Sequence, residues 1–120
     1  MMEPFRLTLK QVQDFGRGDS SKKAGLIQSL IKRVEAVDGR LHAYIHFDPK
    51  RLPSVNHSKK EGSENGGVLA GIPISIKDNI CTRGWETTCA SKILEGFIPP
   101  YDATVVEKLR DAGAIIFGKC

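Results

Sequence analysis

The chain lacks any apolar run approaching the roughly 18–20 residues that cross a bilayer, so a helical membrane span is not expected. Its start, Met1-Met2-Glu3-Pro4-Phe5-Arg6-Leu7, has no apolar signal core followed by a small-residue cleavage site. The expected setting is cytoplasmic, or the matrix of an organelle in a eukaryote. Cysteine is scarce: Cys81, Cys89 and Cys120 are odd in number and lack the paired spacing of a zinc site. They suit a reducing compartment as small buried or half-buried groups. Aromatic residues make up 7% of the chain, and none are interleaved with its lysines and arginines. The positive charge therefore reads as solvated surface ahead of a nucleic-acid face. Absent too are a phosphate-cradling glycine loop, a paired-carboxylate acid/base site and a metal-ligand cluster, so no metal is expected. His42 and His46 are four apart, the spacing of a helical metal pair. Leu41–Phe47 looks extended, however, and offers no third ligand, so both read as structural.

What is present is ordinary for a soluble protein: 40% apolar and 27% charged residues in a chain of 120. That length is one domain's worth, since domains commonly run about 100–150 residues. The net charge of +4 lies wholly in the first half, where residues 1–66 hold 12 Lys/Arg against 8 Asp/Glu; residues 67–120 hold 6 against 6. Texture divides at the same place, predicting a helical region with a polar linker over 1–66 and a second unit over 67–120. Thr8 can cap a short helix through about Phe15, ended by Gly16 and Gly18. Asp19 and Ser20 offer the cap of a longer helix over 20–38, with Leu26, Ile27, Leu30, Ile31, Val34 and Val37 on the 3.6-residue period. Gly39 is the expected stop. Residues 48–67, with Pro49, Pro53 and the polar, glycine-rich run Lys59–Gly67, read as a linker or surface loop.

The second half opens on a strand over 72–77. Ile72, Ile74 and Ile76 would line one face, with Pro73, Ser75 and Lys77 on the other. A cation carried to the end of a mostly buried strand must be paired or have its pKa depressed by desolvation, and in the second state it can act as a base. Ser75 and Lys77 would have β-carbons about 6.5–7 Å apart, and Ser75 reads as a small spacer rather than a nucleophile. The stretch 79–101 shows little periodicity, and loops that long in a compact domain are usually functional or disordered. It carries Trp85 and Glu86-Thr87-Thr88-Cys89-Ala90-Ser91, whose hydroxyls can bond their own backbone or line a site. Asp102 is the expected cap of a helix burying Val105, Val106, Leu109 and Ala112, with Gly113 as its stop. Ala114–Gly118 is a second buried strand. Strand, crossover, helix, strand predicts a parallel pair with a right-handed connection. Parallel sheets usually hold more strands and are covered on both faces. The fold is thus expected to be α/β but incomplete at its carboxyl end, with strand 114–118 presenting an unpaired apolar edge.

Leu69-Ala70-Gly71-Ile72-Pro73-Ile74-Ser75-Ile76-Lys77-Asp78-Asn79 resembles the lysine-bearing strand of the amidase-signature hydrolases. Glu86-Thr87-Thr88-Cys89-Ala90-Ser91-Lys92, Pro100-Tyr101-Asp102-Ala103-Thr104-Val105-Val106, Gly113-Ala114 and Gly118-Lys119 resemble one branch of that family, the A subunits of glutamyl-tRNA(Gln) amidotransferases. The likeness is dense over 68–120 and thematic over 1–47, while Pro53 interrupts the alanine-rich helical pattern the family shows over 48–66. It implies an α/β fold in which amino-terminal helices are followed by the first βαβ part of a mixed amidase sheet. It also implies a serine–cis-serine–lysine relay with Lys77 as the catalytic lysine. Both serines would lie beyond residue 120, so this chain alone is expected to be inactive. Thr87, Thr88, Cys89 and Ser91 would form a substrate-lining loop, and Asp78 and Asn79 would anchor the strand end and turn. The implied substrate is glutamine. Its ammonia would pass to the B subunit of the amidotransferase, where ATP and magnesium serve the activation of misacylated tRNA, with a small C subunit steadying the assembly. This chain itself would hold no cofactor and would meet tRNA mainly through its partner. Two rival readings are a fragment of a general carboxamide hydrolase and a non-catalytic remnant that binds a partner protein or RNA.

Overall fold

The computed structural model describes residues 3–16, 19–52 and 67–120. The expected linker around Pro53 and Lys59–Gly66 lies outside the described residues. Helix α1, Leu9–Phe15, begins where Thr8 and Gln11 form a reciprocal capping box. Helix α2, Ser20–Leu41, begins at Asp19, whose carboxylate accepts from the amides of Ser21 and Lys22. Gly39 does not end it. The helix runs on to Leu41 and stops at His42, which adopts a left-handed conformation with its N–H on the Asp38 carbonyl. A glycine inside a helix costs only about 1 kcal/mol, whereas the Asp38 side chain captures the Ala43 amide at 2.8 Å and turns the chain out.

Strand β1, Pro73–Ile76, and strand β2, Ile115–Lys119, pair in parallel, joined through helix α3, Thr104–Asp111. The register runs from Pro73 opposite Ile115 to Ile76 opposite Lys119, slipping between Ile74 and Ser75. The fold is α/β, as expected. Asp102 does not cap α3. The N-cap is Ala103, and the Asp102 carboxylate instead takes the Arg83 amide at 2.7 Å and the Arg110 guanidinium at 2.9 Å. It ties the preceding loop to the helix, and that bond network outcompetes a local cap. The predicted buried face is narrower than drawn: Val106 is 0% exposed, but Val105 is 49% exposed.

Alternation along β2 divides the core. Ile115 and Phe117 pack with Ile27 and Ile31 of α2, joined by Leu30, Val34, Tyr44, Phe47 and Leu52. Ile116 points the other way, into Ile76, Trp85 and Val106, with Ile74, Ile80, Ala103 and Leu109 around them. All five residues of β2 are buried, so its apolar edge is covered, although among the described residues its only strand partner is β1 and the far edge is bridged at Lys119 alone. That cover comes from the segment after α2. It forms no regular strand, yet His46 bridges antiparallel to Lys119, and the amides of Ile45 and His46 both reach the Lys119 carbonyl.

Candidate active site

Because β1 and β2 are parallel, their carboxyl ends lie together, and such ends are where open α/β sheets commonly place their sites. Lys77 and Asp78 follow β1; Lys119 closes β2. Backbone bonds lock the two ends, with Cys120 N–H on the Ile76 carbonyl at 3.0 Å and Asp78 N–H on the Cys120 carbonyl at 2.7 Å.

The lysine that the fold desolvates is Lys119, not Lys77. Lys77 is exposed and, among the described residues, has no ion-pair partner, so the expectation of a paired or buried amine at this strand end is corrected. On β1 the side-chain alternation buries Ile76 against α3 and Trp85, leaving Ser75 and Lys77 on the opposite, open face. The Ser75 hydroxyl sits 2.7 Å from the phenol oxygen of Tyr44.

Lys119 is 0% exposed. Its ammonium donates to the Ile80 carbonyl at 2.9 Å and to Thr87 Oγ1 at 2.8 Å, with Asp78 Oδ1 at 3.7 Å. Burial lowers its pKa below the usual 10.5, and the nearby Asp78 carboxylate opposes that fall. Asp78, 2% exposed, spends its other oxygen on the loop. Oδ2 accepts from the Thr88 hydroxyl at 2.6 Å, the Thr88 amide at 3.1 Å and the Ala90 amide at 3.3 Å. Desolvation pushes this carboxyl up, but those donors and the Lys119 charge outweigh it, and the net pKa lies below 3.8. His46 completes the cluster, with Nε2 3.8 Å from Asp78 Oδ1 and Nδ1 3.7 Å from Glu86 Oε2.

The loop expected to line a substrate is thus internally engaged. Thr87 and Thr88 are buried, with the Thr87 hydroxyl donating to the Trp85 carbonyl. Cys89 is exposed, and the half-buried Ser91 accepts from the Ile93 amide to start a short turn. Cys89 and Ala90 hold φ of 55° and 53°, two consecutive left-handed residues without a glycine, a conformation that costs energy and needs outside support. Asp78 anchors the strand end, as expected. Lys119 was not singled out from the sequence as a site residue, and His46 was read only as structural. The signal for Lys119 was available: two strands read as parallel over 72–77 and 114–118 bring Asp78, just past the first, beside Lys119, just past the second. Among the described residues, no group of three or more His, Cys, Asp or Glu side chains is placed to hold a metal ion.

The sequence profile of the amidase family matches residues 25–120. The chain belongs to the amidase family. Among curated amidase relatives, the A subunit of the glutamyl-tRNA(Gln) amidotransferase of Geobacter sulfurreducens is 43% identical over 120 residues, 98% of this chain and 25% of the relative. The corresponding A subunit of Natranaerobius thermophilus is 44% identical over 122 residues, again 98% of this chain and 25% of the relative. Among solved structures, the A subunit of the glutamyl-tRNA(Gln) amidotransferase of Thermotoga maritima superposes with a TM-score of 0.77 at 32% identity, over 99% of this chain and 24% of that one. This amidase chain therefore spans about a quarter of the length of the relatives it matches.

Proposed function

We propose that these residues form the amino-terminal part of the amidase subunit of a glutamyl-tRNA(Gln) amidotransferase, which releases ammonia from glutamine. The observation that supports it most is the family match over 25–120, with the named A subunits aligned along almost the whole chain. Lys77 is the proposed catalytic lysine, standing at the carboxyl end of β1 beside the loop 87–91. In the proposed reaction a serine oxygen attacks the carboxamide carbon, and its proton passes through a bridging serine to Nζ of Lys77. The carbon–nitrogen bond breaks as the nitrogen regains a proton and leaves as ammonia. Water then cleaves the acyl ester to release glutamate. An alcohol needs such an adjacent base to attack at neutral pH.

Both serines, and the surface that withdraws Lys77 from water, are assigned to protein beyond these 120 residues. Thr87, Thr88, Cys89 and Ser91 are assigned to the wall of the site, Cys89 being the member with an exposed side chain. The B and C subunits of the amidotransferase are the proposed partners, with ATP and magnesium acting on the B partner and tRNA contacted chiefly there.

The test is ammonia release from glutamine by the full-length protein that carries these residues. Lys77→Met is expected to lower turnover by about 10²–10⁴-fold, the scale of a lost general base. The 120-residue chain by itself is expected to show no turnover. Parent-like activity in Lys77→Met would overturn the assignment, as would glutamine hydrolysis by the short chain that Ser75→Ala or Ser91→Ala abolishes.

A further inference from the structure

The proposed relay uses Lys77 but gives no work to the buried polar cluster next to it. Asp78 and Lys119 are not a simple closed ion pair, because their charged atoms stand 3.7 Å apart. Lys119 directs protons at the Ile80 carbonyl and Thr87 Oγ1 instead. Asp78 directs Oδ2 at Thr88 and Ala90, and its own carbonyl accepts the Cys89 amide at 3.1 Å. Every one of these bonds ends on the segment 80–90 or its anchor. Two of the residues so held, Cys89 and Ala90, are the consecutive left-handed pair. A strained turn persists only where its surroundings over-determine it.

Lys77 is fastened to the same frame. The Ile80 amide donates to the Lys77 carbonyl at 3.0 Å, and the peptide groups on either side are bonded to Cys120. Lys119 is in turn held through its backbone by His46, whose carbonyl accepts its amide at 2.9 Å. The strand end that carries the lysine and the 87–91 loop are thus tied into one hydrogen-bonded frame.

We infer that Asp78, Thr88 and Lys119 are positioning residues that hold the 87–91 loop in its left-handed conformation at a fixed place relative to Lys77. They act through the loop and the strand end. The inference rests on the amidase reading of Lys77.

The test uses glutamine turnover by the full-length protein, with amide hydrogen exchange on the same variants. Thr88→Val removes one hydroxyl at nearly constant volume, and Thr88→Ser keeps it. Thr88→Val is expected to lower kcat about tenfold, and Asp78→Asn about a hundredfold, the scale set by a small misplacement of reacting groups. Thr88→Ser is expected to restore turnover, and the Ala90 amide is expected to exchange faster in Thr88→Val and Asp78→Asn alone. A merely structural role would lower the melting temperature but leave kcat of the folded enzyme unchanged. Should Asp78→Asn fail to fold, Thr88→Val and its serine partner decide the matter. A folded Thr88→Val enzyme with parent kcat would overturn the positioning role. Lys77→Met separates the two ideas: if it retains turnover, the amidase assignment falls. If it loses turnover while Thr88→Val keeps it, only the positioning role falls.

Discussion

At Asp78 two opposing influences meet, and their balance sets how the molecule responds to acid. Burial favours the neutral acid, yet the Thr88 hydroxyl, the Ala90 and Thr88 amides and the Lys119 charge hold the native pKa below 3.8. The carboxylate's contribution to stability is therefore complete above the unfolded value of 3.8 and is lost as pH falls through the lower native value. Urea unfolding followed by circular dichroism is expected to show a midpoint that drops in that acid range. Asp78→Asn should lie about 1.5–3 kcal/mol below the parent at neutral pH, the range for bonds to a charged acceptor, with a shallower acid slope. Lys119 acts with the same sign in the alkaline range. Desolvation leaves its native pKa below 10.5, so the unfolded chain holds the proton more tightly, and stability rises as pH climbs toward 10.5. Lys119→Met should cost about 3–5 kcal/mol by leaving the Asp78 charge buried without its cation. A parent-like urea midpoint in that variant would show that Thr88 and the loop amides satisfy Asp78 unaided.

Neighbouring residues of α3 and β2 show how sharply the elements sort their side chains. Val106 is sealed in the cluster of Ile76, Trp85 and Ile116, whereas Val105 is half open to solvent. Val105→Asp is expected to change stability by no more than about 0.5 kcal/mol. Val106→Asp, which buries a charge with no partner, should abolish the cooperative thermal transition. In β2 a β-carbon at Gly118 would stand 2.7 Å from Tyr44 Cδ1, so Gly118→Ala should destabilise by about 1–3 kcal/mol through overpacking. The glycine lets the Tyr44 ring lie close to the strand where its register with β1 slips. Local signals account for what could be read before the structure. Caps at Thr8 and Asp19, the 3.6-residue stripe on α2 and the alternation of Ile72, Ile74 and Ile76 each involve residues within one element. The misses were contests between distant groups. His42 ended α2 because of Asp38, Asp102 was claimed by Arg83 and Arg110, and the carboxyl end of β2 was met by His46. Lys77 falls just past the end of β1 rather than within it, and the burial expected of it belongs to Lys119, which only the packing of α2, α3 and the 80–90 loop together creates.

Across the whole molecule, packing is good on both faces of β2 and poor over the run 93–105. Ile93 is 92% exposed, and Leu94, Phe97, Ile98, Tyr101 and Val105 are exposed beside it in the chain. Single exposed apolar groups are common on soluble proteins, but a concentration of them in one stretch marks a surface that meets something. The amidase relatives are about four times as long as this chain, and we expect the remainder of their length to lie over this stretch in the complete protein. Two interactions make the stretch itself well formed without that cover: the Glu86 carboxylate accepts the Gly96 amide at 2.6 Å, and the Thr87 amide donates to the Phe97 carbonyl at 2.9 Å. The apolar side chains are therefore presented on an ordered scaffold, which favours association over collapse. The 120-residue chain is expected to bind a hydrophobic dye and to show a weight-average mass in light scattering that rises with concentration. Ile93→Lys combined with Ile98→Lys, both at exposed positions, should suppress the two effects together while leaving the melting temperature within a few degrees, since surface substitutions change stability by only about 0.5 kcal/mol. If the parent chain stays a monodisperse monomer without dye binding, this surface needs no cover, and the explanation of its composition must be sought within the chain.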